Sequence, residues 1–226
     1  MKIGKYYILG IIAAIAVLFI VVNLSNSAND EYPSPSIELR TTVEVPEGQE
    51  VATFATGCFW CMEAAFQKTP GVSAAISGYA GGTVENPTYE QVYTNSTDHR
   101  ESVQVFFNPN EITYEELINV FWRGIDPTDD GGQFVDRGFA YTTAVFFHDE
   151  SQQQIAEATK IELGMDERFQ GFPIVTPVLE FTTFYEAEAY HQDFFLKSPD
   201  RYEQYESNSG REQYREFIWS EIQKES

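Results

Sequence analysis

Cysteine is scarce in this chain. Among 226 residues there are two, beside three histidines and three methionines. A zinc site takes about four ligands, normally from paired Cys or His motifs. One cysteine pair and the separated His99, His148 and His191 argue against such a site, and no metal or other cofactor is expected. Basic residues are scarce as well: 14 Lys and Arg stand against 35 Asp and Glu, for a net charge of −21 at pH 7. An anionic surface of that size repels phosphate backbones, so nucleic acid is not the partner. Its plain consequence is solubility, and it says nothing about a reaction. Internal repeats and low-complexity blocks are absent.

Long apolar runs are missing too, with one exception. YYILGIIAAIAVLFIVVNL, Tyr6 to Leu24, carries no charge and follows Lys2 and Lys5. A signal-peptide core holds ~7–15 apolar residues, whereas spanning a bilayer takes roughly 20, and this run is closer to a span. Lysines on its leading side only place the N-terminus in the cytoplasm and the bulk of the protein outside. Ser25 and Ser27 are small enough for cleavage before Ala28 to release the rest. The expected organisation is therefore a membrane anchor or signal segment over 1–24, a polar Pro-containing linker over 25–50, and one well-buried domain over 51–226.

Within that domain the pattern predicts strands over 51–56, 72–82, 102–107, 139–148 and 174–181. Helices are predicted over 58–69, 113–123, 150–163 and 186–195. Thr113 followed three residues later by Glu116 has the form of a capping box. The closing segment REQYREFIWSEIQKES puts Tyr214, Phe217, Ile218 and Ile222 on one helical face. Helices gathered onto a mixed sheet give an α+β class, a two-layer α/β sandwich of the ferredoxin-like, split βαβ type.

Both cysteines fall in GCFWCMEAAFQK, residues 57–68, three positions apart at a strand-to-helix corner. A purely structural disulfide there closes a very short loop and gains little chain entropy, and buried inert cysteines give no reason for the pairing. Helix N-termini and CxxC settings lower thiol pKa and raise the fraction of nucleophilic thiolate, although Glu63 opposes this at Cys58. The pair reads as redox-active: Cys58 attacks, Cys61 resolves, and an external dithiol restores both.

GCFWCMEAAFQKTPGV, SGYAGGTVENPTYEQV, DHRESVQVFFNP, FWRGIDPTD and QFVDRGFAY, in that order over about residues 51–195, resemble the A-type peptide methionine sulfoxide reductases. The resemblance implies that Cys58 attacks the sulfoxide sulfur and that Glu101, of the His-x-Glu motif, supplies the proton the leaving oxygen requires. A partly desolvated Glu holds such a proton near neutrality. It further implies that Tyr89 and Tyr141 donate hydrogen bonds to that oxygen, that Phe59 and Trp60 wall the substrate methyl group, and that Asp136 helps arrange the oxygen-binding groups. The product on the enzyme is a sulfenic acid at Cys58, which condenses with a neighbouring thiol. The implied activity is reduction of the S epimer of methionine sulfoxide, free or in proteins, with a thioredoxin-type dithiol as reductant. With the N-terminal run as anchor, this describes an envelope repair enzyme.

Three departures stand out. Many family members have Gly in place of Cys61 and resolving cysteines in a C-terminal tail, whereas this chain has no cysteine after Cys61. Phe194 stands where Tyr is frequent, and GFAYTT replaces the more usual GxQYR. The alternatives are a general CxxC thiol–disulfide oxidoreductase of the envelope, which has no use for Glu101, Tyr89 or Tyr141, and a non-enzymatic redox sensor.

Overall fold

A computed structural model describes residues 45–219. The apolar run, the expected anchor and most of the expected linker lie outside them. No helix among the described residues is long and apolar enough to cross a membrane. Residues 45–49 are largely exposed and lead into the first strand, β1 (Glu50–Thr56), one residue before the expected domain boundary.

Strand β1 is followed by α1 (Phe59–Gln67), β2 (Val72–Ala80), a short α2 (Tyr89–Tyr93), β3 (Arg100–Phe107) and α3 (Tyr114–Gly124). A two-residue ribbon, β4 (Gly132–Gln133) with β5 (Asp136–Arg137), precedes β6 (Thr143–Phe147), α4 (Glu150–Met165), β7 (Val178–Glu180) and β8 (Phe184–Glu186). The chain closes with α5 (Phe194–Lys197), α6 (Pro199–Ser209) and α7 (Arg211–Trp219). The main sheet has six strands in the order β7-β6-β1-β3-β2-β8. All its pairs are antiparallel except β6 with β7. The outcome is a mixed sheet with helices, and β3 inserts between the β1 and β2 that flank α1.

The pleat sorts the central strands into two faces. Ala52 and Phe54 of β1 and Val103, Val105 and Phe107 of β3 join the main core with α1 and α3. There Phe54 stacks on Phe66 at 5.4 Å and on Phe121 at 5.0 Å between ring centroids. The opposite face carries Ala55, Ala80, Ala144 and Phe146 under Phe184. It also buries Thr53 and Gln104, which satisfy each other by a hydrogen bond. Helix α3 starts as its sequence predicts: Thr113 Oγ1 accepts from the Glu116 N–H and the Glu116 carboxylate accepts from the Thr113 N–H. Such a cap is worth ~1 kcal/mol.

Several predicted elements are shorter or replaced. Residues 139–141 form a 3₁₀ turn rather than the start of β6, because Gly138 adopts a φ of +113° and the Tyr141 N–H folds back onto its carbonyl. Pro177 has no N–H for the sheet, so the strand predicted over 174–181 narrows to β7. The helix predicted over 186–195 does not form. Residues 184–186 pair with the edge of β2 instead, and Gln192 extends that edge by accepting from the Ser77 N–H and donating to the Ser77 carbonyl. Asp193 then takes a left-handed φ of +54°, leaving only the single turn of α5. On α7, Tyr214 and Ile218 pack inward, but Phe217 is 78% exposed, so the predicted apolar face is narrower. Ile222 lies outside the described residues.

Candidate active site

Gly57 makes the corner. Its φ is +71°, and a Cβ there would stand 2.5 Å from the Cβ of Gln133, so the turn from β1 into α1 has room for glycine alone. Cys58 follows as the N-cap of α1 and uses no side-chain capping bond. Glu101 sits at the start of β3. The β1–β3 register, in which Ala55 faces Ser102, brings it to the same end of the sheet as the corner. There the Phe59 N–H, the first of the helix, donates to Glu101 Oε2 at 3.1 Å. The helix start thus addresses the carboxyl of Glu101 directly.

Burial governs the ionisation of both groups. Cys58 is 4% exposed and Glu101 2%. Burial pushes the Cys58 thiol well above its ordinary range, and the charges of Cys61 and Asp136 add to the rise. Only a hydrogen bond with Tyr205 pulls it down. Burial likewise raises Glu101 well above the carboxylate range, helped by the nearby sulfur and opposed by the Phe59 N–H. Both shifts favour the protonated forms. This corrects the expectation that the helix start makes Cys58 the thiolate. In the pair the anionic character goes to Cys61, lowered by the hydrogen bond from Cys58 and by the charge of Arg211. Glu63, expected to act on Cys58, accepts from the Asp193 N–H with both oxygens at 3.1 Å. Burial lifts it to about 7.

A cavity of about 40 Å³, close to the volume of a single water, lies over Cys58. Phe59, Trp60, Tyr89, Glu101, Asp136 and Tyr141, the residues that the family resemblance singled out, all line it, and Tyr205 joins them. The Tyr89 and Tyr141 hydroxyls are in hydrogen-bond contact, and the charge of Glu101 bears on both. Burial raises each phenol, so both stay protonated donors. Asp136, from the small ribbon, accepts a hydrogen bond from the Tyr205 hydroxyl. Cys61 is in contact with Cys58 but does not line this cavity. Both sulfurs are free thiols. A larger cavity of about 470 Å³ lies beside Glu63, Gln67 and Asp193 and contains no sulfur.

The aromatic wall is braced from behind. Trp60 Nε1 donates to His191 Nδ1 at 3.1 Å, and burial lowers His191 to about 4. His191 is therefore neutral at pH 7 and holds its proton on Nε2. Phe194, at the position where Tyr is frequent, stacks on Trp60 with centroids 4.0 Å apart and keeps the aromatic platform without a hydroxyl. Glu188 accepts from the Tyr79 hydroxyl and from the Tyr89 N–H, which fixes the start of α2. In GFAYTT, Thr142 Oγ1 accepts from Arg100 Nε while Phe139 lies under the guanidinium, so this variant sequence anchors the residue next to Glu101. His99, the first residue of the His-x-Glu motif, braces the glycine turn: Nδ1 accepts from the Gly82 N–H and Nε2 donates to the Val84 carbonyl.

Sequence reasoning missed Tyr205, His191, Glu188 and Arg211. Tyr205 lies in RYEQYE, which has too little apolar periodicity to single it out. His191 was legible only as one of three separated histidines.

The family model described as peptide methionine sulfoxide reductase matches residues 50–223. The peptide methionine sulfoxide reductase MsrA of Bacillus velezensis is 50% identical over 173 residues, covering 76% of this chain and 97% of that protein. The MsrA of Bacillus subtilis is 51% identical over 165 residues, covering 73% and 93%. Among solved structures, reduced Mxr1 from Saccharomyces cerevisiae superposes with a TM-score of 0.63 at 30% identity, over 72% of this chain and 91% of that one. Methionine sulfoxide reductase A of Corynebacterium diphtheriae gives 0.63 at 31% identity, over 70% and 79%.

Proposed function

The chain belongs to the peptide methionine sulfoxide reductase family and is an enzyme of that kind, and we propose that Cys58 is its nucleophile, Glu101 its proton donor and Cys61 its resolving thiol. The observation that carries this reading is the convergence of a buried thiol, a carboxyl whose burial favours its protonated form and two phenol donors on one cavity.

In this reading the sulfoxide oxygen sits among Glu101, Tyr89 and Tyr141, and the methyl group lies against Phe59 and Trp60. Attack by Cys58 sulfur on the substrate sulfur proceeds as Glu101 gives its proton to the oxygen. The protonated oxygen passes from the substrate sulfur to Cys58 as the S–O bond and the new S–S bond break, methionine leaves reduced by two electrons, and Cys58 becomes a sulfenic acid, its own thiol proton restoring Glu101. The two phenols stabilise charge on the oxygen as it develops. Cys61, already the more acidic thiol, then attacks the sulfenic sulfur and expels water to form the Cys58–Cys61 disulfide. A thioredoxin-type dithiol returns both to thiols. The substrate is the S epimer of methionine sulfoxide, free or in proteins. The uncharged run at 6–24 tethers the domain outside the cytoplasm, a reading supported by Lys2 and Lys5 before it and tested by alkaline extraction of membranes and by N-terminal sequencing of the mature protein.

Turnover on separated sulfoxide epimers tests the chemistry. Native protein reduces the S epimer with a dithiol, Cys58→Ser does not, and Cys61→Ser yields one methionine per enzyme and a sulfenic acid trapped by dimedone. Full multiple turnover by Cys61→Ser with a dithiol protein would remove the resolving role.

A further inference from the structure

Helix α1 opens its two thiols onto different spaces. Cys58 faces the small substrate cavity, whereas Cys61 lies in the wall of a second cavity of about 380 Å³ bordered by α1, α3, α6 and α7. Four of the chain's 14 Lys and Arg line that second space: Lys68, Arg123, Arg211 and Arg215. None of the four forms an ion pair among the described residues. In a protein of net charge −21 this cluster runs against the rest of the surface.

Arg211 is the unusual member. It is 3% exposed, donates through Nη1 to the Gly124 carbonyl and through Nη2 to the Thr56 carbonyl at 3.4 Å, and lies over the Phe134 ring. Its Nε has no hydrogen-bond partner among the described residues. A buried guanidinium without a carboxylate is costly, and its charge falls on Cys61. The lining holds one carboxylate, Glu206, in hydrogen-bond contact with Tyr202. The other three cations are exposed at the rim, where they meet whatever approaches the sulfur.

We propose that this cationic cavity binds a low-molecular-weight thiol carrying carboxylate groups, which reduces the Cys58–Cys61 disulfide by attacking Cys61. The proposal rests on the reading of Cys61 as the resolving thiol and adds a second electron donor to the dithiol protein. Cys61 is 4% exposed, and the volume of the cavity beside it falls in the range of small-ligand sites. The small thiolate bonds to Cys61 sulfur as the S–S bond breaks, and Cys58 leaves as a thiolate that takes up a proton. A second molecule attacks the small-molecule sulfur of the mixed disulfide, releasing Cys61 and leaving with the first as their own disulfide. Two thiols lose two electrons and two protons, and the enzyme disulfide gains both.

The test uses full-length protein oxidised by one equivalent of sulfoxide. Disulfide formation is first read by mass as the loss of two hydrogens. Reduction is then followed with mercaptosuccinate, 2-mercaptoethanol and cysteamine, each rate being expressed per thiolate. The net charge alone favours the cationic cysteamine. The cavity predicts the reverse order, with mercaptosuccinate faster than cysteamine by about tenfold at low salt, converging at high salt. In Lys68→Glu/Arg215→Glu, at two exposed positions outside the substrate cavity, the preference disappears or inverts. A stable sulfenic acid in place of the disulfide overturns the resolving role and this proposal together. A disulfide that forms normally but is reduced fastest by cysteamine, or with a preference untouched by the double substitution, overturns the cavity's role alone.

Discussion

Cys58 and Cys61 stand one helical turn apart and touch, yet their surroundings are opposites. The space over Cys58 holds about 40 Å³, walled by aromatic rings and two acids, the buried Glu101 and the half-buried Asp136. The space over Cys61 holds about 380 Å³ and is edged with four cations. The first suits a neutral, dipolar substrate whose oxygen meets a carboxyl that burial favours in its protonated form. The second suits an anion. A helix has a different neighbour on each side of its axis, and three residues of spacing suffice to turn one sulfur toward each.

The largest expected effect separates the two spaces. Glu101→Gln lowers kcat/KM for sulfoxide reduction by about 10²–10⁴-fold while leaving reduction of the preformed disulfide unchanged. Native activity also falls on the alkaline side as Glu101, held protonated by burial, finally ionises, and that limb vanishes in the variant. Equal loss of both reactions would break the comparison and favour general thiol–disulfide exchange.

The next concerns a buried acid facing neither sulfur. Glu63 titrates near 7 in the folded protein against an ordinary value of 4.5. The native state therefore binds this proton more tightly than the unfolded chain. Its contribution is favourable below 4.5 and is lost as pH rises toward 7, by ~3 kcal/mol in all. Glu63→Gln, whose amide oxygen still accepts from the Asp193 N–H, should remove that loss, and urea denaturation at pH 5 and pH 8 measures it. Native-like kcat in the variant sharpens the contrast with Glu101.

The smallest effect concerns the roof of the first cavity. Tyr205→Phe keeps the ring but deletes the hydroxyl shared by Asp136 and Cys58. One such bond is worth ~1–1.5 kcal/mol, so alkylation of Cys58 at pH 8 should slow about tenfold while that of Cys61 is unaffected. Unchanged Cys58 reactivity would show that the hydroxyl does not act on the sulfur.

Much of this was legible in the sequence where local chemistry decides. The Thr113–Glu116 cap and the Gly57 corner follow from residues close in sequence. Beyond Cys58, which the cysteine pair already marked, the six other residues singled out at this small cavity were reached through motif resemblance, since spacing alone does not bring Glu101 to Cys58; a strand register does. Tyr205 and Arg211 stayed hidden because their importance comes from where α6 and α7 pack. Residues 186–195 read as helix because composition says nothing of an unpaired sheet edge waiting beside them. The direction of the Cys58 shift was misjudged for a related reason: a helix start is visible in sequence, whereas the depth of burial is not.

Helix α6 carries Tyr205 above one sulfur and Tyr202 with Glu206 beside the other. One cylinder therefore borders the spaces over both thiols, and a substitution that shifts it alters both surroundings together. A crosslink pinning α6 to the ribbon holding Asp136 tests that linkage by its effect on the reactivity of each thiol.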